Sequence, residues 1–282
     1  MATDRPTDAG EAPSPADDPV GSPGSPPDEP RTRAELYAAG RTADRAPDVP
    51  RAADEAHTTT DGGWAWKSLR LDPPANHVAD QQLAARRTAE GRHPDGTYDG
   101  RGLTPTLRRV EAQLDHGTLI PDTEKFALKS PDRFKEKLAK MIERRPDLSV
   151  GELANEIHDG IRYTFIFDPA HYTDQTQRAC SSLIGDGYEL TRLANRWDGE
   201  EYKGVNSRWH DPHTGQSFEV QFHTPQSWEA KQQTHETYER IDNPDTPVGD
   251  VERLRAYQQS VSSSLEIPDR WNEIRDYRKS RY

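Results

Sequence analysis

Hydrophobic and β-branched positions cluster in the second half of the chain and indicate strands there. The strongest run, residues 161–167 (IRYTFIF), has the β-branched and aromatic content of a central strand. Residues 188–196 alternate between polar and apolar side chains and predict the next strand. The turn sequence DPHTG predicts a hairpin that joins strands at 204–210 and 216–223. A shorter strand is expected at 125–129.

Capping residues mark where the helices begin. Ser130 and Thr224 each precede a proline, and a hydroxyl N-cap before a proline at the first helical position is typical of a helix start. Ser149 and Glu152 have the spacing of a capping box. Helices are predicted at 79–90, 105–116, 131–145, 149–157, 173–184, 225–241 and 250–264. This order of strands and helices predicts an α+β fold in which helices flank a mixed sheet.

The first 60 residues differ in composition from the rest of the chain. They contain ten of the 23 prolines and twelve acidic residues against six arginines, a net charge of −6 out of −12. Such a segment buries too little apolar surface to offset its ordering entropy, so residues 1–60 are predicted to be a disordered leader or linker. One domain is expected over 61–282, with a helical lead-in at 61–120, a catalytic sheet at 121–241 and a C-terminal helix and basic tail at 242–282.

Composition excludes several classes of protein. Only 31% of residues are hydrophobic, the mean hydropathy is −1.06, and no apolar run approaches the ~20 residues of a membrane span. The N-terminal sequence lacks the apolar core of a signal peptide, so the protein is expected in the cytoplasm or as cargo of a specialised secretion system. The single cysteine, Cys180, excludes an internal disulfide framework and is expected in the core.

Two acidic residues are candidates for a metal site. Asp159 shortly precedes the predicted central strand, and Glu219 lies within the strand FEVQF on the side opposite its apolar residues. A carboxylate pair suits one hard divalent cation such as Mg²⁺, which fills its remaining positions with phosphates and water. The alternative interpretation is an ordinary polar strand face exposed to solvent.

Basic and aromatic residues indicate phosphate and base binding. Arg133 and Lys137 lie four residues apart on one face of a predicted helix, and Lys129 stands just before that helix. Cationic side chains at a helix N-terminus suit a polyphosphate, although a solvated helix face would have the same spacing. In the stretch YKGVNSRW, Tyr202 and Asn206 suit base stacking and hydrogen bonding.

The order of these motifs is similar to that of a known family. The sequences KS at 129–130, IHDGIRY around Asp159, YKGVN from Tyr202 and EVQFHTP from Glu219 follow one another within about residues 120–240. This arrangement resembles the synthetase domain of the RelA/SpoT family of nucleotide pyrophosphokinases. The resemblance implies a nucleotidyltransferase-like mixed sheet. It also implies Mg²⁺-dependent transfer of the β,γ-pyrophosphate of ATP to the 3′-hydroxyl of a nucleotide, with release of AMP.

The same resemblance implies roles for individual residues. The catalytic carboxylates and metal ligands are expected to be Asp159 and Glu219. The residues expected to bind ATP are Lys129, Arg133, Lys137 and Arg162. The residues expected to bind the acceptor nucleotide are Tyr202, Asn206, Gln221 and His223.

Departures from the family pattern resemble its divergent toxin-like or secreted branch. Ala127 and His223 stand where the family carries arginines, and the loop before Tyr202 has Glu200 and Glu201 in place of basic residues. Acidic side chains there would repel further acceptor phosphates and could accept a hydrogen bond from an amino group of the base. This favours the use of adenosine nucleotides (AMP, ADP or ATP) at least as well as GDP or GTP. A toxin-like member implies an immunity or antitoxin protein as partner.

Two alternative functions are left open by the sequence. In one, the acceptor is a tRNA 3′ end whose backbone is held by Arg86-Arg87, Arg108-Arg109 and the C-terminal basic cluster. In the other, the chain is a catalytically inactive module that binds a nucleotide or a protein. The acidic pI, near 5.3, counts against the first. Retention of both carboxylates and Tyr202 counts against the second.

Overall fold

The computed structural model describes residues 56–242 and 246–280. The described chain opens with a three-stranded antiparallel sheet, formed by β1 (His57–Thr58), β2 (Trp64–Trp66) and β3 (Leu69–Leu71). The main sheet contains β4 (Gly117–Leu119), β5 (Arg162–Phe167), β6 (Glu189–Asn195), β7 (Val205–His210), β8 (Ser217–His223) and β9 (Tyr277–Arg278). The mixed α+β fold expected from the sequence is confirmed.

The strands of the main sheet lie in the order β4-β5-β8-β7-β6-β9. The central pair β5 and β8 is parallel, and every other neighbouring pair is antiparallel. The parallel pair brings the start of β5 beside the middle of β8, so that Arg162 lies opposite Glu219. The predicted hairpin is also present, because β7 and β8 are antiparallel neighbours joined at Asp211 and Gln216.

Helices flank this sheet and the small sheet. Their bounds are α1 (Pro73–Glu90), α2 (Leu103–Ala112), α3 (Thr123–Phe126), α4 (Pro131–Arg144), α5 (Val150–Asn155), α6 (Tyr172–Gly185), α7 (Pro225–Gln233), α8 (His235–Ile241) and α9 (Val248–Ser263). Short 3-10 turns cover His158–Gly160, Pro169–His171 and Trp271–Glu273. Among the described residues, none of these helices combines the length and the apolar character that a bilayer span needs.

The two faces of the main sheet have different surroundings because side chains alternate along each strand. On one face, Tyr163, Val220 and Trp209 are buried in the main core, which includes Leu107 from α2 and Leu183 from α6. The opposite face carries polar side chains, and a small cluster of Ile120, Ile166 and Trp228 covers one end of it. A second core joins β3, α1, α4 and α5.

Local capping signals locate several helices correctly. The Ser130 hydroxyl accepts from the Arg133 backbone N–H at the start of α4, and Thr224 caps α7 in a reciprocal box with Ser227. The predicted capping box of Ser149 and Glu152 is present at the start of α5. These predictions are confirmed because each cap depends only on residues three positions apart.

Several predicted elements are wrong. The strand expected at 125–129 is instead the short helix α3, followed by an isolated bridge between Leu128 and Ile161. The helix expected at 105–116 begins at Leu103 and ends at Ala112, and Gly117 opens β4. The predicted helix 225–241 is interrupted at Thr234, whose hydroxyl donates to the Ala230 carbonyl at 2.8 Å. Local patterns this short do not distinguish helix from strand.

The expected boundaries also change. Most of the predicted leader, residues 1–55, lies outside the described residues, but His57–Thr58 already form a strand. The predicted helical lead-in at 61–120 contains β2, β3 and β4 as well as helices. The sequences WAW and LRL are too short to show alternation, and their strands pair only with each other and with β1.

Candidate active site

Asp159 lies in a tight turn between α5 and β5. The turn His158–Gly160 is held by Ile157, which is fully buried in the second core just before it. The Asp159 carboxylate contacts two lysines, Lys129 just before α4 and Lys137 in the middle of that helix. Lys137 Nζ donates to Oδ1 at 2.7 Å, and Lys129 Nζ lies 3.2 Å from Oδ2. The structure therefore brings together three of the residues predicted from the sequence.

These charges change the ionisation of the site. Burial alone raises the pKa of Asp159, but Lys129 and Lys137 outweigh burial and hold that pKa well below its ordinary value. Burial lowers the pKa of Lys129, while the Asp159 carboxylate acts in the opposite direction. Arg162 adds positive charge to the same cluster. At neutral pH the cluster therefore contains an ionised carboxylate within a surplus of cationic groups.

Glu219 stands in the middle of β8, next to the Asp159 turn. Its backbone N–H donates to the Ile161 carbonyl at 2.9 Å, two residues after Asp159. The Gln221 side-chain amide donates to the Glu219 carboxylate, and Lys231 of α7 donates to the Gln221 side-chain oxygen. This chain of hydrogen bonds orients the Glu219 carboxylate, and Gln221, beside it on the same face of β8, is buried.

Tyr202 lies just before β7 and is anchored by its hydroxyl. The hydroxyl donates to Asn206 Oδ1 at 2.9 Å and lies 2.9 Å from His223 Nε2. His223 Nδ1 lies 2.9 Å from the Ser227 hydroxyl. A pattern in which His223 Nε2–H donates to Tyr202, and Ser227 donates to Nδ1, satisfies every group. The network holds the ring of Tyr202 in one position.

The pKa shifts of Tyr202 and His223 agree with this hydrogen-bond pattern. Burial, with the charge of Glu219 adding to it, raises the pKa of Tyr202 well above its ordinary value. Burial, with Lys231 and Arg162 adding to it, lowers the pKa of His223 well below its ordinary value. Both side chains are therefore neutral at pH 7. His223, predicted as an acceptor-binding residue, is fully buried and contacts the Tyr202 hydroxyl.

The ring of Tyr202 borders a surface hollow of about 310 Å³. The other lining residues are Arg196, Gly199, Glu200 and Glu201. Helix α9 lies beside this loop, with Arg255 3.7 Å from Glu201 and the Gln259 amide donating to Glu200 at 3.2 Å. The acidic side chains predicted to face acceptor phosphates are therefore engaged with α9.

Arg133 has a different environment from that predicted for an ATP ligand. Its guanidinium pairs with Glu136 at 3.1 Å within α4 and with Glu239 of α8 at 2.7 Å. These contacts join the two helices at the side of the site. Arg133 thus lies at the edge of the lysine cluster, with its charge already balanced.

Arg86 of α1 is a residue of the site that the sequence did not reveal. It is 1% exposed, and its guanidinium donates to the carbonyls of Ala154 at 2.9 Å and Ile157 at 3.3 Å. The same group lies 4.7 Å from the centre of the Phe134 ring. Burial lowers its pKa to about 10, with Asp159 acting in the opposite direction. Arg86 therefore positions the turn that carries Asp159.

Some of the arginines proposed for RNA binding are buried or paired within the protein and cannot contact RNA. Arg86 is buried, and Arg108 pairs with Glu111 at 2.9 Å and with Glu124. Arg109 donates to the Gly100 carbonyl at 3.1 Å and to the Thr106 hydroxyl at 2.9 Å. Arg86 and Arg108 therefore serve the packing of the helices, whereas Arg87 and Arg109 are exposed.

Gly160 gives a direct test of the Arg86 contact. A Cβ atom at Gly160 would lie 2.4 Å from Arg86 Nε and 2.8 Å from its Cδ. Because Arg86 is buried and cannot move aside, we expect Gly160→Ala to lower the free energy of unfolding by about 1–3 kcal/mol in urea titrations. Gly151→Ala is the control, since its Cβ meets nothing within 4 Å and alanine favours the helix. Equal stability of the two variants would contradict the positioning role.

The chemistry of the site suits a hard divalent cation. In the part of the chain that the structure describes, no group of three or more His, Cys, Asp or Glu side chains is arranged to hold a metal ion. Two carboxylates do come from adjacent elements, Asp159 from the turn and Glu219 from β8. The turn and the strand pack directly against each other. Mg²⁺ is commonly held by one or two carboxylates together with substrate phosphates. The donor set therefore fits Mg²⁺ bound together with a phosphorylated substrate.

Comparison with known proteins finds solved structures that are similar to this chain. No family model matches the chain, and no curated protein matches it. The structure of small alarmone synthetase 1 from Bacillus subtilis bound to its product pppGpp is similar at 14% identity, covering 65% of this chain and 91% of that chain, with a TM-score of 0.44. A second structure of that synthetase has a TM-score of 0.43 at 14% identity, with 65% and 90% covered. The smu.1046c protein of Streptococcus mutans has a TM-score of 0.37 at 12% identity, with 68% and 88% covered.

Proposed function

We propose that the protein transfers the pyrophosphate of ATP to the 3′-hydroxyl of a purine nucleotide and releases AMP. The observation that supports this proposal is a cluster in which cationic side chains outnumber the two carboxylates. Lys129 and Lys137 contact Asp159 directly, and Arg162 faces Glu219 across the parallel strands. A triphosphate brings the negative charge that such a surplus can neutralise, and phosphoryl transfer depends mainly on position and charge neutralisation.

Asp159 and Glu219 are the residues proposed to hold Mg²⁺. When bound, the ion would supply charge neutralisation at the ATP phosphates and polarise the phosphorus that is attacked. Lys129 and Lys137 lie at the same carboxylate and are placed to contact those phosphates. The N-terminus of α4, just after Lys129, adds partial positive charge.

Glu219 is the proposed proton acceptor. The acceptor 3′-oxygen attacks the β-phosphorus of ATP, the bond between that phosphorus and the α,β-bridging oxygen breaks, and AMP leaves with the electron pair. The 3′-hydroxyl proton passes to the Glu219 carboxylate. A positioned glutamate carboxylate is a common general base in proton transfer. The bond from Gln221 to Glu219 fixes the direction of the carboxylate.

Tyr202 is the proposed platform for the acceptor base. Its ring borders the hollow, and its hydroxyl is fixed by Asn206 and His223. Because stacking is worth ~1–3 kcal/mol per base, we expect Tyr202→Ala to raise the acceptor KM about tenfold and to leave the KM for ATP within about twofold. Tyr202→Phe keeps the ring and is expected to change the acceptor KM much less. A similar rise in both KM values for Tyr202→Ala would contradict the assignment.

The proposed function is tested by identifying the products. The full chain is incubated with ATP, Mg²⁺ and either ADP, GDP or tRNA, and the products are separated and weighed by mass spectrometry. We expect AMP together with an acceptor heavier by one pyrophosphate. Release of ADP and phosphate alone, or no consumption of ATP, would contradict the proposal and favour a module that only binds.

Competition between the two purines tests the acceptor. Stacking on Tyr202 accepts any base, so a choice must come from groups at the base edge. We propose that adenosine nucleotides are used at least as well as guanosine nucleotides. Equal concentrations of ADP and GDP in one reaction are expected to give at least as much adenosine product. A product made from GDP alone would overturn this preference while leaving the transfer reaction intact.

A further inference from the structure

A row of charged side chains runs across the polar face of the main sheet, with one residue on each of five neighbouring strands paired directly with the next. Arg162 of β5 lies opposite Glu219 of β8, which lies opposite Arg208 of β7. Arg208 in turn lies opposite Arg192 of β6, and Arg192 lies opposite Arg278 of β9. Directly paired residues point to the same side of a sheet. We call Arg208, Arg192 and Arg278 the arginine row; it leads from Glu219 to the edge of the sheet.

The arginine row has few acidic neighbours in the described part of the chain. Within residues 56–242 and 246–280, no carboxylate forms an ion pair with any of the three guanidinium groups. The Asp276 carboxylate acts on Arg192 but accepts the Asn195 backbone N–H at 2.7 Å. Partial burial, followed by the charges of Arg208 and other neighbouring arginines, lowers the pKa of Arg192.

Several arginines elsewhere on the surface have carboxylate partners. Arg178 pairs with Asp115 at 3.0 Å, Arg270 pairs with Asp174 at 3.2 Å, and Arg253 pairs with Asp250. Like charges directly opposite one another in a sheet are destabilising. The arginine row therefore lowers stability in a protein of net charge −12, where acidic partners are plentiful. A negatively charged ligand would account for this arrangement.

The position of the row indicates which ligand it takes. It begins beside the proposed catalytic carboxylate, and neighbouring strands are ~4.8 Å apart, so Arg278 lies roughly 14 Å from Glu219 along the row. Arg196, which lines the hollow at Tyr202, also acts electrostatically on Arg192. The row and the hollow are thus adjacent, on the side of Glu219 away from Arg162 and the lysines at Asp159.

We infer that the arginine row binds the phosphate groups of the acceptor, an inference that rests on the proposed function. Planar guanidinium groups bind phosphate oxygens in pairs and carry a charge at any physiological pH. Two acceptors present this chemistry next to a 3′-hydroxyl. One is a mononucleotide with a 5′-polyphosphate, and the other is an RNA whose 3′ end enters the site while its phosphodiester backbone follows the row.

Binding without ATP tests the inference independently of catalysis. The probes are a fluorescein-labelled eight-nucleotide single-stranded RNA with a free 3′-hydroxyl, and fluorescent AMP and ADP. The test variant is Arg192→Gln with Arg278→Gln, which spares Glu219 and its neighbour Arg208. The control removes two arginines elsewhere, by Arg101→Gln with Arg178→Gln. The charge-conserving double lysine variant, R192K with R278K, separates lost charge from a disturbed sheet.

Two results would support the inference and distinguish the ligand. If RNA follows the row, the test variant binds the oligonucleotide about tenfold more weakly, and the slope of log K against log salt becomes shallower by about 1.4, or 0.7 for each lost phosphate contact. If a 5′-polyphosphate occupies the row, ADP loses about tenfold in affinity and AMP loses less. In both cases the lysine variant recovers most of the binding, and the control matches the wild type.

The inference is overturned if neither the RNA nor ADP binds the test variant more weakly than the control, or if the wild type binds none of the probes. Failure of the proposed function is a separate outcome. If the wild type binds a probe through the row but makes no pyrophosphorylated product, the transfer reaction is wrong and the phosphate site stands. If product forms and the test variant has the acceptor KM of the wild type, the row is wrong and the reaction stands.

Discussion

Glu219→Gln is expected to lower turnover at least ~100-fold while leaving the fold intact, because it keeps the shape of the side chain and removes its charge. Losses of this size are typical when a general base is removed, and here the same change removes a proposed metal ligand. Gln221 can still bond to the new amide, so the strand pairing of β8 has no reason to change. The measurement is the rate of AMP release at saturating ATP and acceptor.

The matched control for this variant is Glu229→Gln on the exposed side of α7. It makes the same chemical change close to the site without touching the carboxylate pair, and its turnover is expected to stay within twofold of the wild type. A Glu219→Gln protein that retained most of its activity would show that Glu219 neither accepts the proton nor holds the metal.

Asp159→Asn is expected to reduce both activity and stability. The variant leaves Lys129 and Lys137 without the carboxylate that they share, and Lys129 is mostly buried. Because these side chains are partly exposed, removing the shared carboxylate is expected to cost about 1–3 kcal/mol, less than for a fully buried pair. Turnover should fall at least ~100-fold, because the proposed metal loses a ligand. Activity should also become less sensitive to the concentration of Mg²⁺.

The stability loss has a defined pH dependence. The pKa of Asp159 in the folded protein is depressed, so its stabilising effect is fully present above the unfolded value of about 4 and is lost as the pH falls below it. The Asn variant has no such group. The difference in unfolding free energy between wild type and variant should therefore be largest at neutral pH and shrink in acid.

Asp147→Asn, at an exposed position, is the control for this pH dependence. Its unfolding free energy is expected to follow that of the wild type from pH 7 to pH 3. A constant difference between wild type and Asp159→Asn over the same range would show that the lysine contacts do not stabilise the ionised carboxylate.

The sequence alone determined the features whose causes are local. The caps at Ser130, Ser149 and Thr224 depend on a side chain and a backbone group three residues apart, and all three are present. The alternation of β7 and β8, with a turn sequence between them, also sufficed to predict their pairing. Motif order indicated Asp159 with Lys129 and Lys137, which the structure brings into contact.

Only the tertiary structure decided the features that depend on contacts between distant segments. Arg86 is 68 residues from Ala154 in sequence, and nothing near it indicated that it would be buried beneath the Asp159 turn. The burial of His223 under Tyr202 depends on helix α7 closing over that end of the sheet. The arginine row exists because strand register aligns residues from three separate strands. Register is a long-range property, since sliding one strand by a single residue would turn each side chain to the opposite face.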